Sequence, residues 1–473
     1  MEHKRLIMEN IKETLETPVI DRVDVLVCGG GPAGIAAAMA AARNGARTLL
    51  LEKNGFLGGI AALGIPIQGF HVAERRQIVK GIGWELAERL LREDSSSSLR
   101  FFEGMKRVYG SWIMYDKFRL RKIATDMLEE AGVGILLHTM SAVPILKGRS
   151  VVGAVTESKS GRQAVFSRMT IDASGDGDIA ARSGAGFKKG NPDGYLQPVT
   201  LLFKISNVDM EEFLGDIDRR PGEYEIAVRR PRYREKYRQG ERMCINGLQK
   251  LCREAQERGE FNMPNPLIAA ACLPREGEVL INMAHVKLVD ATSSKDLTRA
   301  EITGNRYVWQ IMGFLKKYVP GFKNASVSEI MPFAGVRETR RIVCEHTLTE
   351  KEMLAGKKFF DRIGMGGRGV DIHDPTPDNS QSCRSMYLPF PKGYFIPYRS
   401  LLPKKPENIL VAGRCISVSY RAFGSTRVMA QCLATGQAAG TAAALAVANN
   451  VSLKKLDIKL LQETLRKDGA IMD

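Results

Sequence analysis

The stretch that decides the fold is "DVLVCGGGPAG", residues 24–34. Val23 to Cys28 reads as a buried strand that breaks into glycines, and Pro32 to Asn44 reads as a helix stopped by Gly45. Arg47 to Glu52 follows as a second strand, which completes a βαβ unit. In Gly29-x-Gly31-x-x-Gly34 the first glycine permits a tight turn and the second lets backbone approach a pyrophosphate. The third lets helix and strand pack closely. The helix N-terminus then turns free N–H groups and the positive end of its dipole toward phosphate. Glu52 stands 18 residues past Gly34. A carboxylate there can accept both ribose hydroxyls of an adenosine and repel the extra phosphate of NADP.

Outward from this unit, 473 residues with 44% hydrophobic content suffice for two domains or for one with a large insertion. No run reaches the roughly 18 apolar residues of a membrane-spanning helix. "MEHKRLIMENIKETLE" lacks the apolar core of a secretion signal, so a cytoplasmic location is expected. The eight cysteines are scattered without a CxxC pair, so neither a disulfide framework nor a metal site is expected. The net charge is +16, and residues 219–242 set nine Arg/Lys against four Glu. Such a stretch can attract nucleic acid or an acidic surface, but without a recognition motif it reads as a solvated helical surface, and nucleic acid is not expected as a partner.

Three short alternating strands, "AVPILK", "VVGAVTESK" and "QAVFSRMTID", are joined by turn signals and predict a β-meander. Residues 195–395 carry longer loops and more charge. The sheet pattern returns in "ENILVAGRC" and in "STRVMAQCLATGQAAGTAAALAVA", a long helix of small residues expected to begin near Ser425. The expected fold is α/β: a Rossmann-like FAD-binding domain, with a parallel sheet plus a β-meander, and an inserted α+β substrate or cap domain. The expected division is 1–70 (FAD-binding, first part), 71–114 (helical excursion), 115–194 (second part, with the meander), 195–395 (substrate or cap), 396–450 (third part) and 451–473 (C-terminal helix).

The glycine fingerprint fits the ADP half of NAD or of FAD. The meander and the delayed strand and helix suit the far half of a flavin, with Gly413 and Arg414 along it and a helix N-terminus aimed at the ring. The chain also resembles the FAD-dependent oxidoreductases of the glutathione-reductase superfamily. The resemblance runs from "VDVLVCGGGPAGIAAAMAAARNGARTLLLEKNGFLGGIAA" through "IDASGDGDIAARSGAGF" and "GVRETRRIVCEHTLT" to "YFIPYRSLLPKKPENILVAGRC" and "GSTRVMAQCLATGQAAGTAAA". It implies Gly29, Gly31, Pro32, Ala33 and Gly34 at the pyrophosphate, and Glu52 with Lys53 at the adenosine. It implies Gly58 and Gly59 near the ribityl chain or ring, Val143 beside the adenine, and Ala173, Ser174 and Gly175 along the ADP half. Gly413, Arg414, Ser425, Thr426 and Val428 are implied at the flavin end. Many relatives carry Asp where Arg414 stands, so a contact there is expected to run to phosphate or through the backbone.

A flavin carries the electrons, so the protein must place a substrate and handle a proton. Candidate acid/base groups are His373, His71 and Tyr398, with His346 behind them, because histidine titrates near neutrality. Arg337, Arg340 and Arg341 can clamp a carboxylate or lie in an ion-pair lattice with Glu338 and Glu345. Arg421 and Arg427 bracket the start of the last helix and are expected near cofactor or substrate. The leading expectation is an FAD-dependent enzyme passing a hydride between a small organic substrate and the flavin, with electron acceptor and oligomeric state left open. The alternatives are a flavin-dependent RNA-modifying protein and the flavin subunit of an electron-transfer complex.

Overall fold

The computed structural model describes residues 11–101, 110–224, 232–240, 242–260, 262–264, 267–273, 275–377 and 390–473. Residues 1–10 of the N-terminal segment, 225–231 and 241 of the basic stretch, and Cys383 lie outside them.

The βαβ unit forms as its pattern requires. The Val19–Cys28 strand pairs in parallel with Thr48–Leu51, from Val25↔Thr48 to Cys28↔Leu51. Val25 to Cys28 are fully buried, as strands covered on both faces must be. Between them runs the Pro32–Arg43 helix, closed by Asn44 and by Gly45 in the left-handed region. Gly29 has φ +111, and a Cβ there would lie 2.5 Å from the Ala173 carbonyl oxygen. Only glycine allows the turn to run that close to the neighbouring strand.

The seven-stranded sheet orders Gly134–Leu136, Thr48–Leu51, Val19–Cys28, Gly161–Asp172, Ser150–Ser158 and Thr139–Lys147, with Ile409–Val411 pairing Gly161–Asp172 off this path. The Gly161–Asp172 strand is the junction. One edge pairs in parallel with Val19–Cys28. Its other edge pairs first with the meander, as far as Gly153↔Phe166, and then in parallel with Ile409–Val411, from Ile409↔Thr170 to Val411↔Asp172. The meander thus peels away halfway along the strand, and the vacated edge admits a segment more than 200 residues further along the chain.

A second, wholly antiparallel sheet orders Cys244–Gly247, Ile268–Cys272, Val279–Val286, Val199–Ser206 and Ser326–Ile330. The 25-residue Ser294–Tyr318 helix covers it and places Val308, Ile311 and Leu315 in a separate core with Phe203, Ile281 and Phe322. From Ile342 onward the chain packs in the first core again. We therefore propose that the inserted unit ends before Ile342 rather than at residue 395.

The expected long helix from Ser425 divides in two. Ser419 caps a Tyr420–Thr426 helix, and the Met429–Ala448 helix starts afresh after Val428, which is extended at φ −69, ψ 145. A β-branched residue with stiff χ1 gives up little by leaving helical geometry there. The longer helix lies against Pro32–Arg43. A Cβ on Gly436 would fall 2.1 Å from the Ala33 carbonyl oxygen, and one on Gly440 2.1 Å from that of Ala37. The run of alanine and glycine in both helices is what allows this approach.

Candidate functional site

A cleft of about 570 Å³ runs between the two cores. Gly29, Gly31, Pro32, Ala33, Glu52, Lys53 and Asn54 line one end; Ala173 to Asp176, Gly413, Arg414 and Met429 continue the wall; Thr200, Leu202, Asn282, Phe333, Arg337, Asp371, His373 and Arg427 line the far part.

At the first end, the Pro32–Arg43 helix has no side-chain cap, so the N–H groups of its first turn remain available to a ligand. A Cβ on Gly31 would meet no atom within 4 Å, so the turn opens directly on the cleft. Glu52 is 5% exposed and rigidly held. Its Oε2 accepts the Gly30 N–H at 2.7 Å, and its Oε1 accepts the Asn54 N–H at 2.8 Å and the Asn54 amide at 2.7 Å. A carboxylate has roughly four acceptor sites, and with three taken, capacity for about one ribose hydroxyl is left, on Oε2. Asp172 is fully buried, accepts the N–H groups of Ser174 at 3.1 Å and Ala180 at 2.8 Å, and so shapes the turn that faces the glycines. Burial raises its pKa.

In the middle, the Met429–Ala448 helix also begins without a side-chain cap, with Met429 on the cleft wall. The helix end expected at Ser425 is therefore supplied at Met429. Arg414 does not reach free into the cleft. It donates to Asp176 Oδ1 at 2.8 Å and to the Val336 carbonyl at 3.0 Å, and so bolts the nucleotide turn to the segment leaving the second sheet.

The far part was only partly legible from the sequence. Arg337 donates to the Pro198 carbonyl at 2.9 Å, to Thr200 Oγ1, to Asn282 Oδ1 at 3.2 Å and to His285 Nε2 at 3.0 Å. A guanidinium only donates, so His285 Nε2 must carry its lone pair, and the ring is the neutral Nδ1–H tautomer. Burial first, then the charge of Arg337, pushes the His285 pKa well down. Its ring meets that of His373 edge to face at 5.3 Å. Burial and then Arg337 and Arg427 likewise hold His373 well below its ordinary pKa. Among the described residues His373 Nδ1 and Arg427 Nε are buried without a partner, while His373 Nε2 lies 3.6 Å from Asp371 Oδ1. Arg427 Nη2 donates to the Asp371 carbonyl at 2.9 Å. Asn282, Thr200 and His285 were missed in the sequence because strand alternation does not place Asn282 and His285 on one face. The pairs Leu201↔Ala284 and Phe203↔Ile281 enclose an extra residue on the Val279–Val286 strand, and this bulge lets both side chains meet Arg337.

Several expected site residues lie away from the cleft. His71 hydrogen-bonds Ser111 Oγ at 2.7 Å between the rings of Trp84 and Phe101. Tyr398 is buried and donates to the Leu453 carbonyl at 3.1 Å, so its hydroxyl is occupied in packing. Val143 sits 43% exposed on the outer meander strand. Ser425 shares a hydrogen bond with Tyr394 at 2.7 Å and bonds the Arg368 carbonyl, and Thr426 is buried beside it. Gly34 and Gly58 stand behind the turn, with the Gly58 N–H on the Gly30 carbonyl at 2.8 Å, and Val428 only caps the long helix. His346 pairs with Glu352 at 3.1 Å, and Arg421 is exposed. Arg340 bonds Asp178 at 2.9 Å, Arg341 pairs with Glu338, and Glu345 takes Lys454, so of the three clustered arginines only Arg337 enters the cleft. In the basic stretch, Arg220, Arg234 and Arg238 pair with Asp216, Asp218 and Glu211. Among the described residues no cluster of metal-ligating side chains occurs, and no helix is long and apolar enough to cross a membrane.

Two uncapped helix ends, a fixed carboxylate 18 residues past the glycine turn, and a parallel sheet with a meander define a dinucleotide-binding oxidoreductase fold. The chain belongs to the FAD dependent oxidoreductase family, whose model matches residues 24–465, and its cofactor is FAD. It is 28% identical over 222 residues to digeranylgeranylglycerophospholipid reductase 2 of Methanopyrus kandleri, covering 42% of this chain and 50% of that protein. It is 28% identical over 177 residues to digeranylgeranylglycerophospholipid reductase of Methanoculleus marisnigri, covering 34% and 41%. The chain thus matches half or less of the length of these curated relatives. Among solved structures, a geranylgeranyl bacteriochlorophyll reductase-like protein of Thermoplasma acidophilum aligns over 95% of this chain and 84% of its own, at 14% identity and a TM-score of 0.45.

Proposed function

We propose that the enzyme passes a hydride between FAD and a small organic substrate seated in the far part of the cleft, with His373 as the group that takes or returns the proton. FAD, when bound, supplies the two-electron chemistry. The Gly29–Ala33 turn, Glu52 and the Met429 helix end would hold it, which leaves the wall of Thr200, Leu202, Phe333 and His373 for substrate. The observation that carries this reading is the state of His373: a neutral ring in the cleft wall with a buried Nδ1 that has no partner among the described residues. The Asp371 carboxylate beside Nε2 favours the proton on that nitrogen, so Nδ1 bears the lone pair and accepts. Arg337 and His285 orient the ring rather than react.

The test is anaerobic mixing of the FAD-loaded enzyme with hydroxy acids, sugars, unsaturated acids and nicotinamides while flavin absorbance is followed. One class is expected to reduce the flavin, and His373→Gln to retain FAD while losing that reduction. A His373→Gln enzyme reduced at the parental rate across pH would overturn the assignment. The likeness to two curated digeranylgeranylglycerophospholipid reductases supports a second reading, reduction of an apolar alkene. An isoprenoid alkene offered to the pre-reduced enzyme tests it.

A further inference from the structure

We propose that the outward face of the Ser294–Tyr318 helix docks the enzyme on an anionic phospholipid bilayer. At 100° per residue, Lys295, Ile302, Arg306, Trp309 and Lys316 project from one side of this helix, and all five are exposed. Trp309 is 59% and Ile302 52% exposed, and seven residues apart they stand two turns from each other on the same side of the helix. Leu288, 48% exposed, lies at the same end of the helix as Arg299, which donates to its carbonyl. Lys295, Arg306 and Lys316 have no carboxylate partner among the described residues. The acids of the helix are turned elsewhere: Asp296 accepts the Asp290 N–H at 2.8 Å, and Glu301 accepts the Ala334 N–H at 2.7 Å.

Charge decides the occupant. A second copy seated on this face would bring lysine and arginine against lysine and arginine, on a chain already at +16. An anionic surface answers all three cations at once. Indole and isoleucine among cations match the depth profile of a bilayer interface, where amphipathic rings sit at headgroup level and cations meet lipid phosphates. The opposite flank of the same helix contributes Leu297 and Glu301 to the cleft, so the docked face lies about one helix diameter, ~10 Å, from the site.

The FAD-loaded full chain is sedimented with phosphatidylcholine vesicles containing about 30% phosphatidylglycerol, and with phosphatidylcholine alone. Binding is expected to the anionic vesicles only, to weaken with salt, and to fall about tenfold in Ile302→Ser/Trp309→Ser, which keeps every charge. Brominated lipid is expected to quench the parental tryptophan emission and not that of Trp309→Phe, a readout independent of how well the double variant folds. Undiminished vesicle binding by the double variant, or quenching that persists in Trp309→Phe, would reduce the effect to general basicity and overturn the proposal. Dimerisation in buffer that Trp309→Ser abolishes, or capture by polyglutamate without vesicle binding, would assign the face to another occupant and overturn it equally.

Discussion

Substituting Gly436 by alanine tests the central claim about how the cleft is built. The added Cβ would stand 2.1 Å from the Ala33 carbonyl oxygen, 2.8 Å from its carbonyl carbon and 2.9 Å from its Cα. All three are backbone atoms, so no side chain can swing aside. Restoring an ordinary contact near 3.4 Å requires the helices to part by about 1.3 Å. Ala33 lies in the first turn of the pyrophosphate-facing helix and on the cleft wall, so the shift is delivered where FAD binds. Overpacking of this kind costs about 1–3 kcal/mol, and 1.4 kcal/mol is tenfold in affinity. We expect a lowered urea midpoint and a Kd for FAD raised about tenfold, read by quenching of free flavin fluorescence on titration with apoprotein. Gly313→Ala is the control: exposed in helix with nothing within 4 Å of its Cβ, it should gain about 0.4–1 kcal/mol. Parental FAD affinity and midpoint in Gly436→Ala would refute the claim that this helix contact sets the turn.

Glu52→Gln replaces one acceptor oxygen by an NH2 group that cannot take the Gly30 or Asn54 N–H, and should weaken FAD binding about 10- to 100-fold in the same titration, at ~1.5–3 kcal/mol for a charge-assisted hydrogen bond. Arg337→Met removes the charge that depresses both cleft histidines, so their pKa values rise and the acid limb of the pH–rate profile moves to higher pH; an unmoved limb would separate Arg337 from His373. Burial pulls the His71 pKa down to about 4 from an ordinary 6.5. Because the unfolded chain takes up that proton first, stability should decline as pH falls from about 6.5 to about 4, and urea midpoints should show a shallower decline in His71→Asn. Cys432, on the cleft wall with its thiol pushed up to about 12 by burial, should resist thiolate-directed alkylation at pH 8 in the native enzyme.

The nucleotide end of the site was written locally. A strand, a glycine turn, a helix and a carboxylate lie within 30 residues, and Glu52 reaches back only to Gly30, while the clearance of Gly29 from Ala173 adds a tertiary constraint to this local frame. Residue type and spacing there therefore determined a dinucleotide with an ADP half, and the meander with the delayed strand and helix narrowed it to FAD. The substrate end depends on contacts across more than 50 residues of chain, such as Arg337 with Pro198 and Arg427 with the Asp371 carbonyl, and on a bulge that breaks strand periodicity. Tertiary packing alone decided that His373 faces the cleft while His71 and Tyr398 are spent in cores, because a histidine or tyrosine in sequence carries no mark of which polar groups will surround it. It also decided where the last helix begins, since Val428 breaks a run from Tyr420 to Ala448 that holds no proline to mark the stop.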